Sequence, residues 1–138
     1  MLAGQSFSNA PVAAVHALAY PLGGNYHIPH GLSNSLVLPH VLRFNGPEAG
    51  HQYAELASII LPGKTLPEDP LAVTELLATY FLQLAEDLGL PTTLRRMSID
   101  EADLPMLAEQ AMLQQRLLIN NPRDVSFDDA LAIYQQAF

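Results

Sequence analysis

The sequence predicts an all-α chain. Three observations carry that prediction: apolar residues recur at helical spacing through most of the chain, recognisable caps precede those runs, and only residues 92–97 show even weak strand character. The length of 138 residues suits a single compact helical domain of about six to seven helices. No internal repeat, low-complexity tract or domain boundary interrupts it.

Each element has a local reason. Ser8-Asn9-Ala10-Pro11 suits a helix start, with Asn9 or Ser8 capping and the proline in the first turn, where its missing N–H costs nothing. A short apolar helix over about residues 11–20 is expected to end at Pro21-Leu22-Gly23-Gly24, and residues 25–29 read as loop. After His30-Gly31 a second apolar segment covers residues 32–44, broken or kinked at Pro39. Asn45-Gly46-Pro47 punctuates again before a third helix over 48–61, and residues 62–67 form a Pro- and Gly-containing loop.

The longest predicted helix covers about residues 69–88. Leu71, Thr74, Leu77, Phe81, Leu84 and Leu88 fall at helical spacing, and Gly89 stands where a left-handed residue closes a helix. Ser98 and Glu101 have the spacing of a capping box, and Asp103 with Pro105 offers a second start just beyond. Either leads into a helix from 107 to about 118, stopped by Asn120-Asn121-Pro122. Ser126-Phe127-Asp128-Asp129 opens a final helix ending near residue 137.

Composition narrows the function. Apolar residues make up 49% of the chain and charged residues 14%, which excludes general disorder. Six Lys and Arg stand against fourteen Asp and Glu, for a net charge of −8, so a nucleic-acid or anionic-membrane partner is not expected. The lack of cysteine excludes disulfides, iron–sulfur clusters and thiolate zinc sites. No apolar run reaches the roughly 18 residues of a membrane span. Met1-Leu2-Ala3-Gly4-Gln5 lacks a basic signal-peptide start, so the expected location is cytoplasmic.

Histidine placement is the first chemical signal. His16, His27, His30, His40 and His51 all lie in the first 51 residues. Tyr20 shares a helix face with His16, one turn on. A Gly-Gly turn brings His30 back beside them, and two imidazoles facing one point make half of a first-row metal site. The same residues also suit a hydrogen-bonded core histidine and a helix cap. Spacing alone leaves both readings open, because no Asp or Glu stands four residues before any histidine. His40 and His51 lie in or beside apolar helices with no partner in the pattern and read as structural.

The motifs themselves settle more. Gly4-Gln5-Ser6-Phe7-Ser8-Asn9-Ala10-Pro11, then His16-Ala17-Leu18-Ala19, Pro21-Leu22-Gly23-Gly24 and Pro29-His30-Gly31-Leu32-Ser33-Asn34 closely resemble the signature region of iron-containing alcohol dehydrogenases. Leu36 to Asn45 continues the likeness, as does the tail from Asn121-Pro122-Arg123 into Asp128-Asp129-Ala130-Leu131-Ala132-Ile133-Tyr134. The resemblance covers essentially the whole chain and implies the fold of that family's C-terminal helical domain.

It also implies a chemistry. Family members join an α/β domain, which binds NAD(P) through a Gly-rich loop, to this helical domain, and a divalent iron or zinc ion sits between them. The ligands are an Asp and a His four apart, then two histidines fourteen apart. His16 and His30 match that second pair. Phe7 matches a position on the substrate-pocket wall. Tyr20 stands where many relatives carry a histidine that assists proton movement, and His27, an extra loop imidazole, could share that relay.

The implied reaction is hydride transfer between a small alcohol or aldehyde and nicotinamide, with Fe(II) or Zn(II) as Lewis acid. Neither the Asp-x-x-x-His pair nor a Gly-rich loop occurs here, so the expectation is a helical metal- and substrate-side domain over residues 1–138, lacking the nucleotide-binding domain and inactive alone. One half of a split dehydrogenase, with an apolar face left for the missing domain or for self-association, is a second reading. A non-catalytic helical binding or assembly module is a third.

Overall fold

The computed structural model describes residues 12–138. Among them the fold is helical throughout, with no strand. Six α-helices follow in order: α1 (Ala14–Tyr26), α2 (His30–Ile60), α3 (Pro70–Asp87), α4 (Leu104–Met112), α5 (Gln115–Leu118) and α6 (Phe127–Ala137). Two 3₁₀ turns, Leu94–Met97 and Glu101–Asp103, lie between α3 and α4. No helix is long and apolar enough to cross a membrane.

α2 is the spine, 31 residues and therefore about 46 Å long. Its N-terminal half buries Leu36, Val37 and Val41 in the larger core, with Ala14, Leu18 and Leu22 of α1, Leu107 of α4 and Ile133 of α6. Farther along, Leu42 and Ala57 join Leu61 and the α3 residues Val73, Leu77 and Ala78 in a second core. One helix thus serves both layers.

The sequence breaks α2 at Asn45-Gly46-Pro47, and ends the preceding helix at Pro21 to Gly24. Both expectations are overturned: α1 runs through Pro21, Gly23 and Gly24, and α2 runs through Pro39 and Pro47. Proline cannot donate a helix bond and crowds the carbonyls of the preceding turn. The carbonyls that lose a donor are those of Ala17, Ser35 and Arg43, four residues before each proline; at two of the three sites a tertiary donor binds the next carbonyl along, in the turn the ring crowds. The Tyr134 hydroxyl donates to the carbonyl of Leu18, three residues before Pro21, at 2.6 Å. Arg123 donates to the carbonyl of Phe44, three before Pro47, at 2.8 Å, and its guanidinium lies 4.1 Å from the Phe44 ring centre.

Asn45 and Gly46 have their own roles inside α2. Asn45, 3% exposed, exchanges a reciprocal pair of amide hydrogen bonds with Asn121, at 3.0 and 2.7 Å. Gly46 and Gly50, one turn apart, let α3 come close. A Cβ on Gly46 would sit 3.1 Å from Thr74 Cγ2, and one on Gly50 3.1 Å from Pro70 Cβ. Arg43 and Glu75 clip the same two helices with two hydrogen bonds of 2.7 Å.

α3 follows its prediction. Asp69 caps it by accepting from the N–H groups of Leu71 and Ala72, with Pro70 in the first turn. Gly89, at φ +72°, closes it as Leu90 N–H reaches Ala85 O and Gly89 N–H reaches Glu86 O. α6 also starts as expected, with Ser126 and Asp129 forming a capping box. Residues 92–97 do not make a strand but a 3₁₀ turn at Leu94–Met97. Ser98 caps nothing: at φ 60° it closes that turn in the left-handed region. The helix expected over 107–118 is two, α4 and α5. The Ser8-Asn9 start lies outside the described residues.

Candidate metal centre

His16 is placed by α1, whose buried residues Ala14, Ala17 and Leu18 turn their faces to the main core. α1 ends at His27, which adopts the left-handed conformation (φ 55°) and donates its N–H to the Gly23 carbonyl. Ile28 then buries itself in the core and Pro29, extended, precedes the first residue of α2. The buried Ser33 hydroxyl, 3.2 Å from the Ile28 carbonyl, fixes the reversal. That tight corner sets His30 against His16.

The two imidazole centres lie 5.1 Å apart at an interplanar angle of 52°. Tyr20 joins them, its ring 6.2 Å from that of His30, with 38% of the residue exposed. Asn34, one turn beyond His30, brings its side-chain nitrogen to 3.2 Å from His30 Nε2 and 3.5 Å from His16 Nε2. Neither the composition nor the histidine spacing singles out Asn34; a residue one turn after a ligand candidate is the signal that could have.

Electrostatics suit ligation. Burial, reinforced by the neighbouring His30, holds His16 below its ordinary pKa of 6.5, so the ring stays neutral at pH 7 with a lone pair available. Two imidazoles fit half of a zinc or ferrous set, and among the described residues no group of three or more His, Asp or Glu completes one.

The other expected positions disperse. His27 is exposed at the helix corner, and no polar or ring contact among the described residues joins it to the pair. Phe7 lies outside the described residues. His51 is exposed on α2. His40 is 6% exposed, and among the described residues neither ring nitrogen has a partner.

A cavity of about 460 Å³ opens beside the pair and follows α2 from His16 and Asn34, past Leu38 and Val41, to Tyr53 and Asn121. Its walls are mainly apolar. On the other side of Asn34 a smaller groove of about 250 Å³ runs between α2 and α3, over Gly31, Leu38, Phe81, Leu84 and Leu88. Leu88 is 67% exposed, so this groove faces solvent with an apolar rim.

Comparison with known proteins gives concordant results. Residues 1–138 match the profile of the Fe-containing alcohol dehydrogenase family, C-terminal. The chain is 36% identical to lactaldehyde reductase of Escherichia coli (strain K12) across 99% of its own length. It is 38% identical to 1,3-propanediol dehydrogenase of Klebsiella pneumoniae across its whole length. In both cases it spans 35% of the relative. A crystal structure of 1,3-propanediol oxidoreductase superposes with a TM-score of 0.88 at 36% identity, over 99% of this chain and 35% of that one. An alcohol dehydrogenase from Oenococcus oeni gives 0.86 at 34% identity, over 100% of this chain and 36% of that one.

Proposed function

The chain belongs to the iron-containing alcohol dehydrogenase family as its C-terminal helical domain, and from that premise we propose that it forms the metal side of an NAD(P)-dependent alcohol dehydrogenase. His16 and His30 are two of the ligands of a divalent iron or zinc ion. The observation that carries this reading is the approach of both Nε2 atoms to one point at the α1–α2 corner, within 3.5 Å of a single Asn34 nitrogen. Such an ion supplies Lewis acidity toward an alcohol or carbonyl group.

The remaining ligands, the nicotinamide and its phosphate cradle belong to an α/β segment outside these 138 residues. Exposed Leu84, Leu88 and Leu90 beside the groove at Gly31 support docking of that segment next to His30. Within the chain each residue has a task. His16 and His30 present ring nitrogens to one point. Tyr20 borders both His30 and solvent, which suits a phenol that holds or passes the alcohol proton. Phe7 keeps the pocket-wall role on resemblance alone, and among the described residues His27 has no contact that supports a share in the relay.

The apolar cavity walls hold the carbon skeleton of a small alcohol or aldehyde and exclude water. Relatives named for lactaldehyde and 1,3-propanediol point to short hydroxy compounds as the substrate class. An anaerobic calorimetric titration of the chain with Fe(II) and Zn(II), beside His16→Ala and His30→Ala, tests the assignment. Two ligands alone give binding weaker than micromolar, and either substitution abolishes it. Binding indifferent to both substitutions overturns it.

A further inference from the structure

Asn34 lies between the two imidazoles, and its amide has a polarity that constrains them. The nitrogen carries two hydrogens and no lone pair to offer. It stands 3.2 Å from His30 Nε2 and 3.5 Å from His16 Nε2, while its oxygen is buried and has no hydrogen-bond partner among the described residues. An amide turned the other way would bury two unpaired donors in place of one unpaired acceptor, the costlier arrangement. The nitrogen therefore faces the histidines. Each Nε2 that accepts from it brings its lone pair forward and carries its ring proton on Nδ1.

We propose that Asn34 is a positioning residue that presets both His16 and His30 in the Nδ1–H tautomer, holding their Nε2 lone pairs on one point before a cation arrives. The paired N–H groups act as a neutral stand-in for positive charge: they attract the same two lone pairs a divalent ion would use. Neutral imidazole in water prefers its proton on Nε2, so without the amide both rings face the site with the wrong nitrogen protonated. The helix enforces the arrangement, because Asn34 follows His30 by one turn of α2 and shares its face. The proposal rests on the reading of His16 and His30 as a ligand pair, since presetting has a use only there.

The test is an imidazole ¹⁵N–¹H long-range correlation spectrum of the 138-residue chain without metal, recorded at about pH 8, well above the ordinary pKa of a free imidazole. Both His16 and His30 show protonated Nδ1 and unprotonated Nε2. Asn34→Asp, the same shape with acceptors on both arms, moves the proton to Nε2 on at least one ring. Asn34→Ala returns both rings to the solution preference. A wild-type spectrum with Nε2–H on either ring overturns the proposal without any variant, and so does a spectrum unchanged by both substitutions. A parallel Zn(II) titration of wild type and His16→Ala separates the two failures. Zinc binding that depends on His16 together with unmoved tautomers sinks the role of Asn34 alone. The expected tautomers, with zinc binding that ignores His16, sink the ligand assignment and leave the amide contact standing.

Discussion

His40 sits on α2 one turn before Arg43, buried and without a hydrogen bond to either ring nitrogen among the described residues. Burial, aided by Arg43 and only partly opposed by Glu75 of α3, pushes its pKa from 6.5 to about 4. The folded chain therefore keeps the ring neutral where the unfolded chain has already taken up a proton. Stability is full above pH 6.5, falls as the pH drops toward 4, and the loss is complete below that, at about 3 kcal/mol. Urea midpoints between pH 7 and pH 4 show this decline in the wild type and a much flatter one in His40→Leu; equal slopes would assign the effect to other groups. Glu75, held below its ordinary pKa by the Arg43 hydrogen bond, loses its own contribution as the pH falls through that lowered pKa. The sequence marks His40 as structural because nothing near it pairs. Burial turns that same lack of a partner into a pH dependence. His16 and His30 were legible as candidates through the motifs around them, whereas the placement of Asn34 between the two rings is visible only in space.

Helix ends show where local reading suffices. Ser126 with Asp129, Asp69 with Pro70, and Gly89 act through atoms within a few residues of themselves, so the sequence displays them directly. Asn45-Gly46-Pro47 and Asn121-Pro122-Arg123 behave differently. Each looks like punctuation alone, yet they meet across 76 residues of chain, side chain to side chain, inside a helix that runs on through Pro47. Asn121→Ala removes both amide bonds to the buried Asn45 and also the donation to the Arg123 carbonyl at 2.6 Å. An unsatisfied buried amide costs about 1–3 kcal/mol, and that loss is expected in denaturant unfolding. Adding Asn45→Ala costs much less than the sum of the two single changes, because the orphaned amide goes with it. Strict additivity in that cycle would show that the two residues do not act as a latch.

The described residues build two apolar cores on one long helix, with a pair of histidines at the corner where the helix begins. That corner borders an apolar cavity and a groove with exposed leucines, and among the described residues no third His, Asp or Glu joins the two histidines. An NAD(P)-linked assay of the 138-residue chain by itself therefore stays at background with short alcohols and aldehydes, with or without added zinc. Turnover above background, abolished by His16→Ala, would mean that the chain completes its own site. Helical periodicity, caps and the order of the motifs are local properties of the chain, so the sequence by itself determined the all-α class, most of the helix starts, the family and the candidacy of His16 and His30. The tertiary structure decided whether Pro21, Pro39 and Pro47 end helices, where Asn34 and His40 stand, and what lines the cavity. The reason is physical: whether a helix continues through a proline, how deeply an imidazole is buried and where an amide meets two rings depend on atoms that the fold, not the neighbouring residues, brings together.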